Sequence, residues 1–391
     1  MTRFALIGPT YPYRGGIAHY NTLLARHLRE EHEVLFISFS RQYPGWLFPG
    51  KSDRDPSERP LQTEAEYLLD PLNPLTWGKT LKRLRDWQPE VVVIPWWHPY
   101  FVPVWAVLSR GIKRLPGSPR LIFICHNVLP HEQGKFSKRL LPGLFRLACG
   151  RADGFIVHSQ ADGQILHEML PQAQVQVTPL PTYAELGIAD TSHIKLPVKL
   201  PDDRPLLLFC GLVRPYKGLD ILLEALAIAV RERPLHLLVA GEFWQGGEAQ
   251  YRQQIDRLGL NDSVTIWNEY IPDEQLAACI DRCAVVVLPY RSATQSAVIQ
   301  LAFGRGKPVI TTNVGGLGEV VVDGRTGLVV PAENLVALAE AINQYFEKNL
   351  KDDLSRHLNQ DEQFSWKKVQ QKLKLLSLPA TTNLTANNVQ T

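Results

Sequence analysis

Four short stretches hold the residue types that could bind or move charge, and each follows an apolar run. Gly8-Pro-Thr-Tyr-Pro-Tyr-Arg14-Gly15-Gly16-Ile17 places two glycines at a helix start. Missing side chains there let a ligand approach backbone N–H groups. Cys125-His126-Asn127-Val-Leu-Pro-His131-Glu132 gathers two imidazoles and a carboxylate in one loop, suited to acid–base or hydrogen-bonding work. Gly211-Leu-Val-Arg214-Pro-Tyr-Lys217-Gly218 sets two cations on a short loop, a guanidinium fork and a point charge that suit a diphosphate. Pro289-Tyr-Arg-Ser-Ala-Thr294-Gln295-Ser296-Ala297 brings hydroxyls and an amide to a helix N-terminus. They either cap that helix or leave its N–H groups to a phosphate.

Other chemistries lack their residues. The first loop is neither a G-x-G-x-x-G fingerprint nor a Gly-Lys-Ser/Thr phosphate loop. His131-Glu132 does not open a zinc motif, because Lys135 stands where the second histidine is needed. There is no G-x-S-x-G elbow and no C-x-x-C pair. Asp53-Arg-Asp55 has the D-x-D form of some metal-dependent sugar transferases, but it sits in a charged, proline-bearing loop and reads as a chance match. No metal or other cofactor is expected.

The elements that must position these loops alternate. Strands are expected at Phe4–Gly8, Val34–Ser38, Val91–Ile94, Leu121–Cys125 and Phe155–His158, each followed by a turn and an amphipathic stretch. The alternation lapses near Thr182–Arg204 and resumes with strands at Leu206–Phe209, Leu235–Ala240, Val264–Trp267, Val285–Leu288 and Val309–Thr311. Strands alternating with helices argue for parallel α/β sheets. The reading is two doubly wound α/β domains, 1–190 and 204–360, joined by a linker at 191–203. A last helix lies within 361–378, and a disordered tail is expected at 379–391. Asp323-Gly324 fits either a hairpin turn or a helix end. Ligands of such sheets bind beyond the C-terminal strand ends, so two facing domains place a cleft at the four loops.

Composition agrees. The 391 residues exceed what one core usually supports, and 45% hydrophobic with 21% charged residues is ordinary globular usage. Five cysteines, few and odd in number, fit a reducing cytoplasm. The apolar run Val91–Leu108 is broken by Pro95, Pro99 and Pro103, and reads as strand, loop and helix start rather than a membrane span. The net charge is +3, yet residues 110–151 alone carry +8. Within them, Lys135–Leu147 mixes basic and large apolar side chains. It suits either an anionic membrane surface or a solvated basic face over a packed apolar one. No nucleic-acid motif accompanies the charge. Tyr43, Trp46 and Phe48 form an aromatic loop in the same half of the chain.

Taken in order, Gly15-Gly16, His126-Asn127, Arg214-Pro-Tyr-Lys217-Gly218, and the stretch from Pro289 through Gly306-Lys-Pro-Val309 to Val314-Gly-Gly-Leu-Gly-Glu319 resemble the glycosyltransferase family 4 enzymes of the GT-B fold. The resemblance runs from about Arg3 to Trp366. It implies two Rossmann-like domains, a nucleotide-sugar donor held mainly by the second, and transfer with retained anomeric configuration. It implies Gly15 and Gly16 near the donor phosphates, His126 near the transferring hexose, and Arg214 and Lys217 at the diphosphate. Thr294, Gln295, Ser296, Ala297 and Glu319 fall on the donor side; Asn127, His131, Tyr43 and Trp46 fall on the acceptor side. The final helix is implied to cross back to the first domain.

The chain departs from the family pattern in two places. Ala293 and Leu301 occupy the positions of the usual Glu-x7-Glu pair, which marks a variant branch. Leu212 follows Gly211 where an arginine is usual, so Arg214 would have to reach in. The resulting expectation is a cytoplasmic hexosyltransferase, peripheral to the membrane if the acceptor is lipid-linked. The alternatives are a catalytically degenerate nucleotide-sugar-binding partner and a nucleotide-sugar epimerase of the same fold.

Overall fold

A computed structural model of the chain describes residues 1–45, 48, 51–129, 135–187, 189–358 and 362–378, with backbone alone over 135–139. Trp46, His131 and the tail 379–391 lie outside the described residues.

The first sheet contains β1 (Arg3–Ile7), β2 (Glu33–Phe39), β3 (Glu66–Leu69), β4 (Val91–Trp96), β5 (Arg120–Cys125), β6 (Gly154–Val157) and β7 (Val175–Val177). Their spatial order is β3-β2-β1-β4-β5-β6-β7, all parallel. The second contains β8 (Leu206–Cys210), β9 (His236–Ala240), β10 (Val264–Trp267), β11 (Val285–Leu288), β12 (Val309–Thr312) and β13 (Gly327–Val330). Its order is β10-β9-β8-β11-β12-β13, also parallel. Central strands such as β4, β8 and β11 are fully buried, because helices cover both faces. That is why they read as unbroken apolar runs.

Strand order reverses between β1 and β4 in one sheet and between β8 and β11 in the other. The loops after β1, β8 and β11 therefore open at crevices where such sheets take ligands. Residues 191–203 carry no helix or strand and lie against the Asp273–Arg282 helix, where Thr191 donates to Asp281 and Arg282 donates to the Ile194 carbonyl. The Trp366–Ser377 helix returns to the first domain. There Gln370 donates to the His27 carbonyl, and Arg120 donates to the Leu376 carbonyl.

Three strands were not anticipated. β3 and β7 are short edge strands, and β7 is only half-buried, so neither carries a strong apolar signal. β13 follows Asp323-Gly324, which makes a turn and no hairpin, since β13 runs parallel to β12. The five cysteines are buried and free. No described helix is long and apolar enough to cross a membrane.

Candidate active site between the domains

Three of the four loops, those at 8–17, 211–218 and 289–297, meet around a cavity of about 310 Å³, whose described lining does not include the His126–Asn127 loop. Arg14, Gly15, Gly16 and His19 line it from the first domain; Gly211, Asp273, Ala297 and Leu301 line it from the second. Two helices begin there, Gly16–Arg29 and Ala297–Gly304. Neither has a side-chain cap nor an acid in its first turn. Gly16 and Ala297 face each other, and a Cβ on Gly16 would stand 3.2 Å from that of Ala297. Two positive helix ends thus converge on one space, a ready seat for an anion. The Ser296 hydroxyl, at the N-cap position, makes no capping hydrogen bond to the second helix.

Lys217 supplies the cation. The Pro215–Lys217 turn carries it inward, and Gly218 ends the turn at φ +69°. A Cβ on Gly218 would stand 2.1 Å from the Pro289 carbonyl, so the loop closes only with glycine there. The Lys217 ammonium lies 5.5 Å from the Tyr290 ring centre and close under Gly211. Burial lowers its pKa to about 8. Arg214 stacks on Trp244, its guanidinium carbon 4.3 Å from the ring centre.

His126 follows β5 and packs against Tyr20 and His158, with ring centres 4.8 and 5.3 Å away. Burial and the neighbouring His158 push its pKa well below the ordinary histidine value, so the ring is neutral. Its Nε2 has no hydrogen-bond partner among the described residues. The same loop is tied across the gap: the Thr294 hydroxyl donates to Asn127 Oδ1 at 2.5 Å. Gln295 donates to the His158 carbonyl at 2.7 Å. Glu319, expected beside the donor, accepts from the backbone N–H of Gln160 at 2.8 Å. Its carboxylate thereby caps the Gln160–Met169 helix of the first domain. Thr294, Gln295 and Glu319 are thus engaged in closing the domains.

Tyr43, assigned to the acceptor side, is held in an aromatic cluster with Trp97, Tyr100 and Phe101, and its hydroxyl accepts from Trp97 Nε1 at 2.8 Å. Phe48 from the same loop does reach the cavity. Several wall residues were missed in the sequence. Arg14 pairs with Glu242 and lies 4.3 Å from the Tyr270 ring centre, joining the domains. His19 faces Asp55 and Asp273; burial would lower its pKa, but the two carboxylates raise it to about 9. Adjacency to Gly15-Gly16 was the available signal for Arg14. His19 and Asp273 had none, and Asp55 had only the D-x-D stretch, read as a chance match, since the three lie far apart in the chain.

Residues 15–181 match the glycosyl transferase 4-like domain, and residues 204–348 match the glycosyl transferases group 1 domain. The chain belongs to the family 4-type glycosyltransferases, transferase enzymes of the GT-B fold. It is 26% identical over 247 residues to the D-inositol 3-phosphate glycosyltransferase of Paenarthrobacter aurescens, covering 61% of this chain and 58% of that one. The chain is therefore matched over little more than half that relative's length. The sucrose-phosphate synthase of Thermosynechococcus elongatus superposes with TM-score 0.68 at 20% identity, over 99% of this chain and 100% of that one. Anabaena HepE in complex with UDP-glucose superposes with TM-score 0.66 at 19% identity, over 96% and 100%.

Proposed function

We propose that this chain moves a hexose-type sugar from a nucleoside-diphosphate sugar to a hydroxyl acceptor, with retention at the anomeric carbon. One observation carries the reading: two uncapped helix N-termini open on a single interdomain cavity, with the buried Lys217 ammonium directly behind its wall residue Gly211. Such a constellation stabilises a departing diphosphate, and stabilising the charge that develops is typically the largest catalytic contribution. The HepE complex with UDP-glucose supports a donor of this class.

In this mechanism the bond between the anomeric carbon and the phosphate oxygen breaks, with its electrons going to the diphosphate. The acceptor oxygen attacks from the same face, and its proton passes to the departing phosphate oxygen. Neutral His126 offers hydrogen bonds to the sugar without adding positive charge beside an oxocarbenium-like centre. Ala293 and Leu301 stand at the family's Glu-x7-Glu positions, so a double displacement through that pair is not part of this reading. The NMR-assigned anomeric configuration of the product tests retention. An inverted product contradicts the same-face route, and donor binding without any turnover favours the degenerate-partner reading.

The acceptor side faces a membrane in this reading. On the Lys135–Cys149 helix, Leu140, Leu144 and Leu147 are 50%, 36% and 43% exposed. Their spacing puts them on one stripe, about 100° round the helix from the buried Leu141, Phe145 and Ala148. Exposed Arg114, Arg146 and Arg151 belong to the same basic segment. Leucines amid cations suit an anionic lipid surface, and hence a lipid-linked acceptor.

A further inference from the structure

We propose that His19, Asp55 and Asp273 form a divalent-cation site that clasps the two domains beside the cavity. His19 lies one turn into the Gly16–Arg29 helix, and Asp273 opens the Asp273–Arg282 helix of the other domain. Asp55 comes from the charged loop between β2 and β3. His19 Nε2 stands 3.3 Å from Asp273 Oδ2 and 3.8 Å from Asp55 Oδ2, and the three ligand atoms lie within 4.8 Å of one another. Ligand atoms bonded at about 2.0–2.2 Å to one ion stand roughly 3–4 Å apart, the range in which both His19 distances fall.

The unpartnered atoms point to a ligand. Asp273 is 1% exposed, and neither carboxylate oxygen has a hydrogen-bond partner among the described residues. His19 is 7% exposed, and its Nε2 makes no hydrogen bond among the described residues although both carboxylates face it. Buried carboxylates left in this way are costly, and a bound ion is a usual explanation. An imidazolium answers only part of the need, because Nε2 carries one hydrogen and two carboxylates compete for it. A divalent cation that displaces the Nε2 proton neutralises both carboxylates at once.

The supporting groups are already in place. Asp55 Oδ1 accepts from the Ser57 N–H at 2.9 Å and from its hydroxyl at 2.6 Å, leaving Oδ2 toward His19. The Ser57 hydroxyl oxygen accepts from the Asp273 N–H at 2.9 Å, which fixes the two acidic segments to each other. Such outer contacts are what orient metal ligands. Asp53, the other half of the D-x-D stretch, instead meets Arg54 at 3.5 Å. Imidazole and carboxylate oxygen together suit Zn²⁺ or Mn²⁺. The cation's role is closure, apart from the transfer step.

Calorimetric titration of the full chain with ZnCl₂ and with MnCl₂ tests this, beside Asp273→Asn, His19→Gln and the control Asp53→Asn. The expected result is one equivalent bound by the wild type and by D53N. Affinity should fall more than about 100-fold in D273N and H19Q, beyond the 10–100-fold typical of outer-shell changes. No saturable binding by the wild type, or equal binding by all four proteins, overturns the proposal. D273N and H19Q remove different ligands, so either one decides if circular dichroism shows that the other fails to fold.

Discussion

Gly16 and Ala297 face one another across the domain gap so closely that a Cβ added to Gly16 would stand 3.2 Å from the Ala297 Cβ, a tight contact. Each stands in the first turn of a helix whose N-terminus is uncapped. A side chain at either position would crowd the space where the two positive helix ends meet. Gly16→Val is expected to weaken donor binding at least ~10-fold, a loss of about 1.4 kcal/mol. Calorimetry of wild type and variant checks it, with circular dichroism confirming that the helix persists.

The Lys217 ammonium gives this anion seat a pH dependence. Burial depresses its pKa to about 8, so the side chain is charged below that pH and loses its proton above it. Diphosphate binding favours the charged form. Donor affinity is therefore expected to hold steady well below pH 8 and to fall above it, the midpoint moving upward once ligand is bound. Lys217→Met should bind weakly at every pH and lose this slope. Titrations between pH 6.5 and 9.5 make the comparison.

Glu319 closes the domains through the N-terminus of the Gln160–Met169 helix. Glu319→Gln keeps a hydrogen-bond acceptor and removes the charge. The expected stability cost is small, about 0.3–1 kcal/mol for a charge at a helix end. Small-angle scattering should show a larger radius of gyration, and the Michaelis constant for donor should rise more than the turnover number falls. An unchanged scattering profile would separate Glu319 from closure.

The leucine stripe makes a surface prediction. Leu140, Leu144 and Leu147 lie outside the buried core, so replacing all three with serine leaves the core side chains in place. Thermal stability should stay close to wild type, since surface changes usually fall within about 0.5 kcal/mol. Co-sedimentation with vesicles containing phosphatidylglycerol should drop at least ~10-fold, because the apolar face drives insertion of such helices. Equal sedimentation of both proteins would assign the stripe another role.

The sequence exposed the loops of the site better than their contacts. Gly16, Lys217 and the 294–297 run were legible because each follows a strand that reads as an apolar run, and strand ends are where α/β sheets bind ligands. Local composition could not show that Thr294 and Glu319 reach the other domain, since Asn127 and Gln160 lie in a separate part of the chain. Nor could it show that Asp55 belongs with His19 and Asp273, whose proximity exists only when the domains close. Tyr43 had the composition of a contact residue and packs as core, because Trp97, Tyr100 and Phe101 surround it. β3 and β7 escaped notice for a simpler reason: half-buried edge strands need few apolar residues.

The most direct test of the account is calorimetric titration of the wild type and Lys217→Ala with a panel of nucleoside diphosphates and nucleotide sugars. The account expects one base to be bound at one equivalent by the wild type, with the affinity lost in the variant while the fold is retained. Undiminished binding in Lys217→Ala, or no binding of any nucleotide by the wild type, would contradict it.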